Sequence, residues 1–343
     1  MPITMLRGLV RLLKKRWFLS ALGVAVSLGF TVRGIAPAIP RDAPVAVFMF
    51  TMFCIGLTAT PSALLRALTN WRATLVSLGF GYLIAPAMAF VSGWVLLDPE
   101  SDLFRGWILV GCTSTTISSA IVYARSAGAN ATLALFLSNI SSVASPLMTP
   151  VLIGVLLSKQ IDVPVAPMMK TLFLSVFAPV LLAQVVLVVA ARMVAPLRVY
   201  VGVFSQVGIL LIVFMSMART FHLAPPVFYR ELPGVVTVLV VLSVALYAAM
   251  STGSYSAARR AGLGAADAVA VAYASGQKTM AVTVVLADRF FSPVAAVPIL
   301  VYHLTQLVCG ELDSGFYRRR IDKGEGQPGA GPDDGRSGTV SRT

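Results

Sequence analysis

The stretch Ala274-Ser275-Gly276-Gln277-Lys278-Thr279 lies in the middle of an apolar segment, residues 265–287. Lys278 has about ten apolar-rich positions on either side, so its ammonium does not easily reach an aqueous boundary. A lysine at such depth needs water, polar partners or deprotonation, and ionisable residues inside membranes mark functional sites. A lysine paired only for structural reasons is the competing interpretation.

The composition around this segment is that of a membrane protein. Of 343 residues, 57% are hydrophobic and 12% are charged, about half the charged fraction of globular domains. Apolar runs of about 20 residues recur without the alternation of barrel strands, which predicts an all-α polytopic protein with ten transmembrane helices. The predicted spans are 17–34, 43–60, 73–97, 104–123, 130–157, 171–195, 200–220, 232–251, 265–287 and 292–308.

The basic residues predict the orientation of these spans. With ten spans and an inner N-terminus, 18 of the 27 Lys and Arg residues fall inside, 8 fall outside, and Lys278 is the remaining one. The positive-inside rule therefore predicts a multi-pass protein of the cell inner membrane with both termini in the cytoplasm. Residues 1–16 are predicted to form a basic N-terminus, 17–310 the ten-helix domain and 311–343 a polar, disordered tail.

A second polar cluster lies in the fourth predicted span, where residues 111–119 read Gly-Cys-Thr-Ser-Thr-Thr-Ile-Ser-Ser. It is interpreted either as an unwound segment that lines a cavity or as a polar, tightly packed helix face. The fourth and ninth spans are equivalent in two five-helix halves, about 17–158 and 170–309. Because each half has an odd number of helices, the halves must be inverted repeats, and interruptions at corresponding positions of such repeats are typical of a transporter site.

The fifth span adds polar side chains to the same region. Ser138, Ser141, Ser142 and Ser145 recur at three- and four-residue spacing, which puts them on one helical face, and Asn139 lies beside them. Close helix packing by small residues explains this stripe equally well.

The sequence argues against several other classes of protein. Cys54, Cys112 and Cys309 are far apart and lack metal-ligand spacing, so they predict no metal site. Neither a phosphate-binding glycine loop nor a nucleophile motif is found, so an ATP-driven pump and an enzyme are not predicted. The basic charges lie at segment ends, which disfavours nucleic-acid binding. The first apolar run is followed by further spans, which disfavours a cleaved signal peptide.

A set of short sequence elements is distributed over the second, fourth, fifth and ninth spans. They are Met52-Phe53-Cys54-Ile55-Gly56-Leu57-Thr58, the Gly111-Cys112 entry to the fourth-span cluster, Gly128 with Asn130, Ser145-Pro146-Leu147-Met148-Thr149-Pro150 and Gln277-Lys278-Thr279. In this combination the chain resembles the bile acid:sodium symporter (BASS) superfamily. The resemblance is to its divergent bacterial branch, which is similar to the seventh member of the human bile-acid carrier family, and it covers all ten spans.

The resemblance implies a panel domain of spans one, two, six and seven, which faces a core domain of spans three to five and eight to ten. It also implies sodium near the crossing of the broken helices, with family ligands at the positions of Ser118, Ser119, Ser138 and Gln277. The chain departs from the family pattern because it lacks a glutamate before Gln277, has Ala134 at a serine ligand and adds the charge of Lys278. A complete two-sodium site is therefore not expected, and the ammonium is an alternative to the cation.

We therefore predict a secondary active transporter that moves a small organic anion by alternating access, coupled to sodium or to protons. Lys278 is predicted to be the cationic centre, surrounded by the side chains of Ser118, Ser119, Ser138, Asn139 and Gln277. The predicted binding or coupling residues are Lys278, Gln277, Ser118, Ser119, Thr115, Thr116, Ser138, Asn139, Gly276 and Thr279.

A cation/proton antiporter on the same architecture and a non-transporting membrane regulator are the alternatives. No cofactor besides a sodium ion is expected, and the substrate, coupling ion, direction of transport and oligomeric state stay open.

Overall fold

The computed structural model describes residues 17–58, 70–194, 196 and 198–322. Within this part of the chain the fold is helical and contains no β-strand. The predicted N-terminal segment 1–16 and residues 323–343 of the predicted tail lie outside the described residues. The main helices are α1 Trp17–Thr31, α2 Ala43–Thr58, α3 Trp71–Leu96, α4 Asp102–Cys112, α5 Ile117–Ser126, α6 Ala131–Leu157, α7 Val165–Val189, α8 Arg198–Leu223, α9 Pro226–Arg260, α10 Ala265–Gly276, α11 Met280–Phe290 and α12 Val297–Asp322.

Several of the described helices are long and apolar enough to cross a membrane by length and composition. Six such stretches are Trp71–Leu96, Ala131–Leu157, Val165–Val189, Tyr200–Leu223, Phe228–Arg260 and Pro293–Asp322. Two shorter apolar stretches, Ser20–Thr31 and Ala43–Leu57, belong to α1 and α2. Large apolar side chains cover the outside, for example Val188 and Val189 at 85% and 80% exposure, as a surface in contact with lipid requires. The prediction of an all-helical polytopic membrane protein is confirmed at this level.

Helical structure stops at both polar clusters that the sequence singles out. The first interruption, residues 113–116, separates α4 from α5, and the second, residues 277–279, separates α10 from α11. The four flanking half-helices have only 10 to 12 residues each, so none of them spans a membrane alone.

The described helices pack in two groups. α8 lies along α1 and α2, and the second half of α7 also packs on α2. The other group is built around α9, which contacts α10 and α12, together with the pairs α3–α4 and α5–α6. α11 contacts both groups, since it touches α8 and α2 as well as α12.

The C-terminal helix corrects one prediction. α12 continues to Asp322, so residues 311–322 are helical and the prediction of a disordered tail from residue 311 is wrong for them. Packing stabilises this extension, because Tyr317 is 2% exposed and its hydroxyl pairs with that of Ser251 at 2.8 Å. The carboxylate of Asp313 also accepts hydrogen bonds from the hydroxyls of Tyr273 and Tyr247, at 2.7 and 2.8 Å.

Gly106 provides a test of how tightly α4 must approach its neighbours. A Cβ atom at Gly106 would lie 2.2 Å from the carbonyl oxygen of Ala295, which is backbone and cannot rotate away. Gly106→Ala should therefore destabilise the protein by about 1–3 kcal/mol through overpacking, measured as a lower melting temperature in detergent. Gly23→Ala is the matched control, because a Cβ there meets nothing within 4 Å. Equal melting temperatures for the two variants would contradict this account of the packing.

Candidate functional site

The two interruptions cross and are hydrogen-bonded to each other through their backbones. Thr116 N–H donates to the carbonyl of Gln277 at 3.1 Å, and Thr279 N–H donates to the carbonyl of Ser114 at 2.9 Å. Thr115 and Lys278 form an isolated antiparallel bridge at the same point. Each interruption thus satisfies part of the backbone that the other leaves unpaired, as the interior of a membrane protein demands.

The half-helices that follow the interruptions begin in nearly the same way. Thr116 precedes α5 with φ −80° and ψ 128°, and Thr279 precedes α11 with φ −79° and ψ 127°. Neither threonine makes a side-chain capping hydrogen bond. The first N–H groups of an α-helix have no partner within the helix, and they carry the positive end of its dipole. Two such ends converge at this crossing.

The ammonium of Lys278 is held by backbone carbonyls. Its side chain is 1% exposed, and Nζ donates to the carbonyl oxygens of Gly81, Gly111 and Thr113 at 2.9, 3.1 and 3.0 Å. Gly111 and Thr113 lie at the C-terminal end of α4, where unpaired carbonyls form the negative end of the helix dipole. An ammonium with three donors fits this position, because each of its hydrogens meets one oxygen.

The sequence of α3 explains why the carbonyl of Gly81 is available. Residues Phe80–Ile84 form a π-helical turn, in which Ala85 N–H donates to Phe80 rather than to Gly81. The next residue is Pro86, which has no N–H to offer the carbonyl of Gly81. The turn and the proline together free one oxygen at membrane depth, and Lys278 pairs with it.

Gln306 on α12 holds the backbone of Lys278 from the other side. Lys278 N–H donates to Gln306 Oε1 at 2.6 Å, and Gln306 Nε2 donates to the carbonyl of Lys278 at 2.9 Å. Gln277 is tied into the same arrangement, since its Oε1 accepts from Ser119 Oγ at 2.8 Å. The second interruption is therefore fixed against α5 and α12 as well as against the first interruption.

The side chains predicted to surround the ammonium have other partners. Ser138 Oγ donates to the carbonyl of Ala134 within α6, and Gln277 faces Ser119. Thr115 donates to the carbonyl of Ala274, and its N–H donates to Ser141 Oγ at 3.2 Å. The prediction of a hydroxyl and amide shell around Lys278 Nζ is therefore wrong, because main-chain carbonyls make its contacts.

A cavity of about 280 Å³ lies beside the crossing. Of the predicted residues, Thr116, Ser118, Ser119 and Thr279 line it. Lys278, Gln277, Thr115, Gly276 and Ser138 are buried behind this wall, and Asn139 is half-buried on α6. The remaining wall combines apolar and polar side chains, which include Phe18, Val122, Gln206, Ile209, His303 and Leu307. The N-terminal turns of α5 and α11 thus line the cavity, and the ammonium of Lys278 does not.

The hydrogen bonds of Gln306 also fix the tautomer of His303. Gln306 Oε1 accepts from the backbone of Lys278, so its Nε2 must donate to His303 Nδ1, 2.8 Å away. A neutral imidazole that accepts at Nδ1 carries its hydrogen on Nε2. His303 is 5% exposed, and its Nε2 has no hydrogen-bond partner within the described residues. His303 thus lines the cavity and carries a buried, unpaired Nε2–H.

Sequence reasoning missed all three carbonyl partners of Lys278, those of Gly81, Gly111 and Thr113. Pro86 indicates that a carbonyl about one turn earlier lacks its helical partner, but only the π-helical turn makes this carbonyl that of Gly81. The three-residue spacing of His303 and Gln306 puts both on one face of a helix, but it does not indicate their link to Lys278.

Comparison with known proteins gives similarity along most of the chain. Residues 16–319 match the model of the SBF-like CPA transporter family. The chain is 25% identical to the sodium/bile acid cotransporter 7 of Mus musculus over 313 residues, which are 87% of this chain and 91% of that protein. It is 20% identical to the putative symporter YfeH of Escherichia coli (strain K12) over 305 residues, 87% of this chain and 91% of the relative.

Gln306→Ala tests whether α12 holds the second interruption. The variant leaves the N–H and carbonyl of Lys278 unpaired in a buried place, which should cost roughly 1–3 kcal/mol for each group. We expect a clear fall in the melting temperature of the purified protein. Gln206→Ala, which alters the cavity wall outside this arrangement, should melt close to the wild type. A fall of the same size in both variants would argue against the specific role of Gln306.

Proposed function

The chain belongs to the SBF-like CPA transporter family, and on that premise we propose that it is a secondary active transporter for a small organic anion. The relatives carry the names of transporters rather than of enzymes. The proposed binding site is the cavity at the crossing of the two interruptions. The proposed set of binding and coupling residues remains the one that the sequence predicts, with Lys278 behind the cavity wall.

One observation carries this proposal: two helix N-termini converge on one cavity. Thr116 and Thr279 line the cavity, and each stands at the start of a half-helix whose first N–H groups lack helical partners. Helix N-termini bind carboxylate, sulfate and phosphate groups through these N–H groups and the positive end of the dipole. The imidazole of His303 belongs to the wall of the same cavity.

The size and lining of the cavity support a small substrate with an apolar part. Its volume of about 280 Å³ lies just below the usual range for ligand pockets, which is roughly 300–1,000 Å³. Phe18, Val122, Ile209 and Leu307 provide an apolar wall opposite the polar turns. The proposed substrate class is therefore a simple carboxylate or sulfonate with a short hydrocarbon body. The names of the cotransporter relatives include bile acid.

We propose ten spans for this chain, in two inverted repeats of about residues 17–158 and 170–309. The six long apolar stretches, the two shorter ones in α1 and α2, and the pairs α4–α5 and α10–α11 make up that number over the described residues. The packing of α1, α2, α7 and α8 supports a panel domain, and the packing among the other helices supports a core domain. Both termini are proposed to be cytoplasmic, on the inner side of the cell inner membrane.

The two ends of the cavity support alternating access. Trp17, Ser126 and Glu311 line one end, which the proposed topology assigns to the cytoplasm. At the other end Arg219 pairs with Asp288, and the side chains are 11% and 6% exposed. The guanidinium of Arg219 also donates to the carbonyl of Pro40 at 2.8 Å. These contacts join the α1–α2 connection and α8 to α11, so this end must separate before a substrate enters from outside.

Sodium and protons are both candidate coupling ions for the proposed transport. The names of the cotransporter relatives include sodium. The sequence predicts sodium ligands at Ser118, Ser119, Ser138 and Gln277, but in the structure the side chains of Ser119, Ser138 and Gln277 are paired within the protein. The rival functions are a cation/proton antiporter, which would show pH-dependent cation flux without an organic substrate, and a non-transporting regulator, which would tolerate bulky side chains at the interruptions.

Blocking the cavity tests the proposed function. Ser118→Trp and Thr279→Trp fill the space beside the helix N-termini, so uptake of labelled small carboxylates and sulfonates into proteoliposomes should fall more than about tenfold. Ser256→Trp is the control, because Ser256 is exposed at the end of α9 and does not line the cavity. Uptake at the wild-type rate in both cavity variants would contradict the proposed site. Cation flux without any anion uptake would favour the antiporter.

Breaking the buried ion pair between Arg219 and Asp288 tests whether this pair keeps the outer end of the cavity closed. In a variant without native cysteines, Thr279→Cys should react with a membrane-impermeant thiol reagent from the cytoplasmic side and only weakly from outside. Adding Asp288→Ala should increase the outside reaction rate about tenfold or more, because an unpaired buried arginine destabilises the closed arrangement. Arg289→Ala removes an exposed pair with Asp42 and should have little effect. An unchanged outside rate with Asp288→Ala would refute this role.

A further inference from the structure

The site that surrounds the Lys278 ammonium has the chemistry of a monovalent-cation site. Three neutral backbone carbonyls from two helices, those of Gly81, Gly111 and Thr113, converge on one positive nitrogen at 2.9 to 3.1 Å. Rings of backbone carbonyls are what proteins use to replace the hydration shell of monovalent cations. Here the cation is the ammonium of Lys278, which belongs to the second helix interruption, and not an ion taken up from solution.

No carboxylate among the described residues forms an ion pair with the Lys278 ammonium. The ion pairs among the described residues involve Arg105, Arg219 and Arg289, and none includes Lys278. The buried polar groups near the crossing are neutral, among them Thr113, Thr115 and Gln277. A sodium ion beside the ammonium would therefore meet like-charge repulsion, because no carboxylate is paired with the ammonium to neutralise it.

The side chains at the proposed sodium positions are also already paired. Ser119 Oγ and Gln277 Oε1 bond to each other at 2.8 Å, and Ser138 Oγ bonds to the carbonyl of Ala134 at 2.8 Å. Ser118 is exposed and lines the cavity. These four residues do not form a converging set of free oxygens, so they do not fit a sodium ion.

We infer that the Lys278 ammonium permanently occupies the position of a coupling cation, so that this protein works without sodium and acquires a cation requirement when the ammonium is removed. The inference rests on the proposed function for its meaning in transport, but the occupancy of the site is testable without any substrate. Lys278→Ala would leave three buried carbonyls facing a space that the aminobutyl chain now fills. Small monovalent cations are the ligands for that space.

Cation-dependent thermal stability of the full-length protein tests the inference directly. The wild type should have the same melting temperature in sodium chloride and in choline chloride of equal concentration. Lys278→Ala and Lys278→Met should melt lower in choline, and at least the alanine variant should regain stability in sodium, potassium or ammonium chloride, rising with the logarithm of cation concentration. Lys170→Met, which removes an exposed lysine, should behave like the wild type.

Transport gives a second, separable readout. Wild-type uptake of the anions that it accepts should differ by less than about twofold between sodium and choline, which corresponds to negligible coupling. Saturable stabilisation of the wild type by sodium, or sodium-dependent uptake, would overturn the inference. A lack of any cation response in both Lys278 variants would overturn it as well. Failure to find a transported anion would count against the proposed function alone, since the melting experiment needs none.

Discussion

A backbone group that leaves its helix inside a membrane must find a partner in the protein, because hydrocarbon offers none. This constraint governs the centre of the molecule. The two interruptions give each other hydrogen bonds, Thr116 to Gln277 and Thr279 to Ser114. The ammonium of Lys278 satisfies three further carbonyls, and Gln306 pairs with the backbone of Lys278 itself.

Much of this architecture could be predicted from the sequence, and the reasons are local. Apolar runs of membrane length mark the helices, and hydroxyl-rich or lysine-containing clusters within them mark the points where the helices stop. The burial of Lys278 followed from the same reasoning. The polar composition of residues 311–322 wrongly predicted disorder, although the four-residue spacing of Asp313 and Tyr317 puts both on one helical face.

The partners of Lys278 could not be predicted, because they are main-chain atoms. Spacing along a helix tells which face a serine occupies, but not whether its hydroxyl turns back to a carbonyl of its own helix, as that of Ser138 does. The carbonyl of Gly81 becomes free only through a π-helical turn followed by Pro86, and it meets a lysine 197 positions away. Side-chain types carried little information about this contact.

The near-identical backbone angles at Thr116 and Thr279 have a consequence for recognition. Two equivalent turns face the cavity, so their N–H groups cannot distinguish one end of a ligand from the other. The asymmetry needed for discrimination comes from the walls, where Phe18 and Ile209 belong to one packing group and His303 to the other. Under the proposed function the polar crossing is a general anion receptor, and the walls are the part of the molecule where substitutions would change the cargo while the fold is kept.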